Sequence, residues 1–223
     1  QVFTGTSVGA INASFLVANA HRGDMGAQGL IDAWLRLSLE SHIRLELFGF
    51  GRLSRLMPSW RKKAEPSVAG RALFDATGLQ NFVTSEIDWA RLHENISVGR
   101  VDALAIAALR IYDGQNTLFT QTAPGRTFSA SMDPRRTAID GRIEADHVLA
   151  SAALPFIFPV RDINGQWYCD GGLRPSTPIA PAIRSGANRL VVVSLTHDAR
   201  GPRMPPAPNS PYPGPVMLLG KVL

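Results

Sequence analysis

Cysteine is nearly absent: Cys169 stands alone among 223 residues. An internal disulfide is therefore excluded, no cysteine spacing suggests a metal centre, and a reducing compartment suits the chain. Lysine is scarce too, with Lys62, Lys63 and Lys221 the whole supply, so the formal charge of +5 rests on arginine. Apart from the cluster Arg61, Lys62 and Lys63 the basic residues are scattered, which reads as a solvated surface and leaves nucleic acid out as a partner. No apolar run comes near the ~18 residues of a membrane-spanning helix. The chain opens on Gln1, Val2 and Phe3 without an initiator methionine or signal peptide, and reads as cut there. Val216 to Leu223 (VMLLGKVL) read as the first turns of a helix that stops uncapped, so a second cut is expected.

What remains is an ordinary globular composition, 45% hydrophobic and 18% charged, enough to bury one substantial core. One domain is expected over residues 1–200. Seven prolines in fifteen residues make 201–215 a loop or linker before the helix start at 216–223.

Val2 and Phe3 end a strand, Gly5 to Gly9 (GTSVG) make a tight turn, and Val8 to Ala20 follow as an apolar helix. Gly26 to Leu39 places Leu30, Ile31, Trp34, Leu35 and Leu37 at helical spacing, and Leu45 to Trp60 suggests a helical cap. Arg61 to Pro66 (RKKAEP) is a surface loop. Two hairpins are predicted, one around Asp113-Gly114 within Asp102 to Thr120, the other around Asn164-Gly165, since Asp-Gly and Asn-Gly suit type I′ turns. The second leads straight into Asp170. Thr177 to Ser185 should be a short helix and Arg189 to Leu195 (RLVVVSL) a strand covered on both faces.

Gly5-Thr6-Ser7-Val8-Gly9 fits the Gly-x-Ser-x-Gly elbow, in which a strained strand-to-helix turn pushes a nucleophilic hydroxyl out of the fold. The helix N-terminus, with the Val8 N–H at hand, favours an oxyanion beside Ser7. Such a pattern arises by accident about 0.13 times in a chain of this composition, and the apolar strand before it and helix after it strengthen it. The bland alternative is a serine that caps the helix.

An activated serine needs a base. His21, His42, His93 and His147 sit where capping or solvated histidines are common, whereas His197 follows the predicted strand, as a triad histidine would. Asp170, within Tyr168-Cys169-Asp170-Gly171-Gly172, is the competing base, and its two glycines let another backbone approach. An Asp-Gly carboxylate that bonds its own backbone is the plainer reading. Cys169 and Ser151 read as buried packing residues and Trp34 as core. Trp60, beside Arg61 to Lys63, is open to membrane contact or plain exposure, and Trp89 and Trp167 complete the tryptophans.

Gly5 to Ala13 (GTSVGAINA) and Asp170-Gly171-Gly172 together resemble the two hallmarks of the patatin-like phospholipase family. Ala150 to Phe156 (ASAALPF) with Phe158-Pro159 is similar to the alanine-serine helix and proline corner that precede the aspartate in that family, and the likeness spans most of residues 1 to 195. The resemblance implies an α/β fold with a central, mostly parallel sheet flanked by helices, in three layers. It implies a Ser7-Asp170 dyad without histidine, cleaving fatty acyl esters of phospholipids or related lipids, with no metal or cofactor. Lipid acyl esters are then the partners, with peripheral membrane contact, in the cytoplasm or at a membrane surface. The family's main oxyanion loop would lie upstream of residue 1, and Ser176 stands where the family commonly has asparagine. Two rival functions remain: an esterase with a Ser7, Asp170 and His197 triad, and a non-catalytic lipid-binding module.

Overall fold

The structure, a computed structural model, describes residues 1–37, 44–45, 74–75, 77–129, 131–155, 157–173 and 178–194. The expected charged loop 61–66, the proline-rich segment 201–215 and the helix start at 216–223 lie outside these residues, as do His42, Trp60, Ser176 and His197. So does the expected cap over 45–60, except that β2 (Arg44–Leu45) pairs antiparallel with β3 (Phe74–Asp75).

A mixed sheet organises the rest. It contains β1 (Val2–Thr6), β4 (Ala103–Arg110), β5 (Asn116–Thr122), β6 (Arg136–Asp140), β7 (Arg161–Ile163) and β8 (Gln166–Asp170). β4 is its spine. The alternating residues Leu104, Ile106 and Ala108 enter the main core, whereas Ala105 and Ala107 join Leu118 and Phe128 on the opposite face. A strand buried on both faces reads as an unbroken apolar run, and ALAIAAL does so.

The expectation of a mostly parallel sheet fails. Among the described strands only β1 with β4 and β5 with β6 of this sheet run parallel, while β4–β5, β4–β8 and β7–β8 are antiparallel. For β4–β5 and β7–β8 the reason is a short turn, since parallel neighbours need a long crossover connection. At the Asn164-Gly165 turn both residues have positive φ, 53° and 77°, as a type I′ hairpin requires. Asp113-Gly114 differs: only Gly114 has positive φ, and the loop runs from 111 to 115, where Asp113 accepts from the Gln115 N–H and from Arg110.

Helix α1 (Val8–Ala18) ends where Asn19 donates its side-chain amide back to the Phe15 carbonyl at 3.0 Å. It packs on the sheet with α2 (Asp24–Arg36), α3 (Thr77–Glu86), α4 (Trp89–Ser97) and α5 (Ala145–Ser151), most of its side chains buried. Trp34 of α2 packs on Phe82 with ring centroids 5.3 Å apart and donates to Asn12 at 2.7 Å. Buried Asn95 of α4 donates to the carbonyls of Val17 and Ala18, satisfying the last turn of α1. The short α6 (Ile179–Arg184) lies against the other face, where Thr4 donates to the Pro178 carbonyl at 3.0 Å.

The described part of the expected strand Arg189 to Leu195, residues 189–194, is not a buried strand. Among residues 189–194 no strand occurs, and Val191 and Val193 are 95% and 87% exposed. β-branched propensity is realised only where a neighbouring strand offers a ladder, and no described strand pairs with this run. No described helix is long and apolar enough to cross a membrane.

Candidate active site

Two strands meet head-on along one edge of β4. β1 runs parallel to it and ends with Thr6 opposite Ala107, whereas β8 runs antiparallel and ends with Asp170 opposite Ala108. Their C-terminal ends therefore converge on adjacent residues of the same strand. The next residue of β1 is Ser7, and its Oγ donates to Asp170 Oδ2 at 2.6 Å across 163 positions of sequence.

Ser7 occupies the turn between β1 and α1 at φ 55° and ψ −129°, a left-handed conformation that costs a non-glycine residue about 1–3 kcal/mol. It holds the N-cap position, yet its hydroxyl makes no capping bond, because that hydroxyl is turned to Asp170. Glycine is required at position 5 by proximity: a Cβ there would sit 2.3 Å from the Gly9 carbonyl oxygen and 2.7 Å from Ala10 Cα. At Gly9 an added Cβ meets nothing within 4 Å. Crowding thus explains the first elbow glycine and not the second.

Asp170 is 1% exposed. Its Oδ1 accepts from the Gly172 N–H at 2.7 Å while Oδ2 takes the serine hydroxyl, so the carboxylate bonds its own turn and the serine at once. Its backbone N–H donates to the Ala153 carbonyl at 2.9 Å. A Cβ on Gly171 would lie 2.6 Å from the Ala107 oxygen, and one on Gly172 would lie 3.0 Å from Asp170 Oδ1. Burial pushes the Asp170 carboxyl above its ordinary value, and the bonds from Ser7 and Gly172 pull it partly back.

The sequence gives no hint of a third participant, Ser151. It is fully buried at the end of α5, accepts from the Ser7 backbone N–H at 2.9 Å and donates to the Ala107 carbonyl at 2.6 Å. One hydroxyl thereby ties the elbow, the spine strand and α5 together, so Ser151 does more than fill the core. The Ser7 amide is spent on Ser151 and the Ala10 amide returns to the Ser7 carbonyl at 2.9 Å, so the first-turn amides without an intrahelical acceptor are those of Val8 and Gly9.

No described histidine joins the pair. His21 is exposed, His93 Nδ1 lies 3.1 Å from Gln121 Oε1, and His147 Nδ1 accepts from the Glu144 N–H. Cys169 is buried with its thiol pushed up to about 11, mainly by desolvation, so it is held protonated. Trp89 packs against the core and Trp167 is 46% exposed. Among the described residues no group of three His, Cys, Asp or Glu side chains is placed to hold a metal ion.

Such a pair can move a proton from the hydroxyl to the carboxylate along an existing hydrogen bond, beside a helix N-terminus that favours negative charge. In comparisons with known proteins, the family model described as Patatin-like phospholipase matches residues 1–183. No curated protein and no solved structure matched the chain.

Proposed function

The chain belongs to the patatin-like phospholipase family, and from that premise we propose that it hydrolyses fatty acyl esters of phospholipids or related lipids, with Ser7 as nucleophile and Asp170 as general base. The observation that carries the reading is the 2.6 Å hydrogen bond from Ser7 Oγ to Asp170 Oδ2. Ser7 Oγ attacks the ester carbonyl carbon as its proton passes to Asp170, and the carbonyl oxygen becomes an oxyanion stabilised by the Val8 amide and the α1 dipole. Collapse of this intermediate breaks the bond to the alcohol oxygen, which takes the proton from Asp170 and leaves. Water then repeats the sequence on the acyl-Ser7 ester, with Asp170 accepting its proton and returning it to Ser7, and the fatty acid departs.

A carboxylate in water is a poor base for an alcohol. Burial of Asp170 narrows that gap by raising its proton affinity, and the ready-made bond removes the entropy of bringing the groups together. Such an enzyme works against a lipid aggregate, so peripheral contact with a membrane surface is part of the proposal.

The experiment is fluorophosphonate labelling and ester hydrolysis by the native chain, Ser7→Ala, Asp170→Asn and His197→Ala. Labelling that depends on Ser7, hydrolysis lost in Asp170→Asn and retained in His197→Ala are expected. A label that survives in Ser7→Ala removes the nucleophile, and collapse of activity in His197→Ala replaces the dyad by a triad.

A further inference from the structure

The register sets Thr6, Ala107, Leu118 and Ala138 side by side across β1, β4, β5 and β6. The residue before Ser7 therefore begins a row that crosses four strands. Ala107, Leu118 and Ala138 of that row floor a shallow, open groove bounded by α6. Asn116 and Arg136 pair with each other and stand level with Leu109, beyond the row in the direction in which β1 runs into Ser7. The groove and the candidate nucleophile thus share one end of the sheet.

Its walls are basic. Arg184 of α6 and Arg136 of β6 line it together with Ser129 and Ser131. Arg184 donates through Nε to the Ser129 carbonyl at 3.4 Å, and no carboxylate among the described residues pairs with it. Arg136 lies 3.6 Å from Asp133 Oδ2, but Asp133 also serves Arg135 at 3.2 Å. One carboxylate is shared by two arginines while the third has none, so the groove carries surplus positive charge. Guanidinium forks with flanking hydroxyls suit phosphate oxygens.

We propose that this groove takes the phosphodiester of a glycerophospholipid head group while the neighbouring acyl ester lies at Ser7, an inference that rests on the function proposed above. Adjacent strands are spaced about 4.8 Å, so the groove floor begins roughly 5 Å from Thr6 at Ala107 and reaches Leu118 at roughly 10 Å. Arg136 stands on β6, one spacing further at roughly 14 Å, so the few bonds of glycerol between an ester carbonyl and the phosphorus meet it through the reach of the arginine side chain. The small apolar floor receives the glycerol carbons, and the arginines neutralise the phosphate. An uncharged acyl ester would leave Arg184 without an anion and Arg136 with only its share of Asp133, so the groove favours phospholipid.

Two measurements test this. The first compares kcat/KM for phosphatidylcholine with that for a p-nitrophenyl ester of the same acyl length in the native chain and in Arg136→Gln/Arg184→Gln. The ratio of phospholipid to uncharged ester should fall at least about tenfold in the double variant, the scale of one lost charge-assisted hydrogen bond, and an unchanged ratio overturns the proposal. The second titrates Ser7→Ala with sn-glycero-3-phosphocholine and with inorganic phosphate by NMR, which needs no turnover and therefore decides the matter even if the native chain hydrolyses neither ester. Saturable binding of the diester, abolished by Arg136→Gln/Arg184→Gln, supports the assignment. No binding of the diester, or preference for inorganic phosphate, overturns it, the latter making the groove a free-phosphate site.

Discussion

Replacing each elbow glycine by alanine gives opposite results in this fold. At position 5 the new Cβ would lie 2.3 Å from the Gly9 oxygen, 2.6 Å from the Gly9 carbon and 2.7 Å from Ala10 Cα. All three are backbone atoms with no rotamer to relieve the overlap. Ordinary contact begins near 3.4 Å, so β1 and the first turn of α1 must separate by about 1 Å. Overpacking of that kind costs about 1–3 kcal/mol, which in a chain of this size lowers Tm by about 3–10 °C. The same separation moves Ser7 relative to Asp170, and a 1 Å misplacement costs about 10² in rate. At position 9 the added Cβ meets nothing within 4 Å, and alanine exceeds glycine as a helix former by up to about 1 kcal/mol. Gly9→Ala should therefore hold or raise Tm. Thermal unfolding followed by circular dichroism, with ester hydrolysis on the same samples, reads both effects. Equal loss of stability in the two variants would refute the claim that only the first glycine is held by backbone contact.

Ser151→Ala leaves the Ser7 amide and the Ala107 carbonyl without their shared partner, so a loss of about 1–3 kcal/mol for each stranded group is expected from denaturant unfolding, along with weaker fluorophosphonate labelling. Asp170→Asn should stabilise the fold at neutral pH while abolishing hydrolysis. The sign follows from the raised carboxyl: the folded state holds its proton more tightly than the unfolded chain, so the stability it supplies is complete below the unfolded value near 3.9 and is lost as pH rises through the folded value. The gain in Asn should hence shrink to nothing in acid, and a gain independent of pH in matched melts would contradict it. For the same reason kcat/KM should rise with pH through a midpoint above the ordinary aspartate value, since Asp170 works only when ionised; a pH–rate profile without that rise would show that another base is at work.

The legible parts of this fold are those encoded locally. A glycine–serine turn between an apolar strand and an apolar helix is visible in ten consecutive residues, and Asn164-Gly165 states its turn through the positive φ that both residues adopt. Asp113-Gly114 looks the same in sequence but becomes a longer loop, because the Asp113 side chain is drawn to Arg110 and the Gln115 amide. Ser151 is illegible for a different reason. Its partners are backbone atoms of residues 7 and 107, distant in sequence, and a buried serine in a helix has no pattern that separates packing from a structural hydrogen bond. RLVVVSL misleads in turn, since composition reports that a run suits a strand and says nothing of whether a neighbour is there to receive it. The groove beside α6 also escapes sequence reading, because its arginines lie on β6 and α6 and only the sheet register aligns them.

The error over strand direction bears on how the site is made. In a sheet of parallel strands every C-terminal end points the same way, and two residues that follow two such ends lie side by side with at least one strand spacing, about 4.8 Å, between them. Here β8 opposes β1 on the same edge of β4, so the ends face each other with Ala107 and Ala108 as adjacent anchors. A side chain from each end then spans the gap and closes a 2.6 Å bond. The antiparallel direction of β8 follows from the two-residue turn at Asn164-Gly165 and from pairing with β4. Both groups are costly where they stand, Ser7 through its left-handed backbone and Asp170 through burial of its charge. They are anchored beside β4, six of whose eight residues are buried, and the rigidity of that strand holds the two ends within bonding distance of each other.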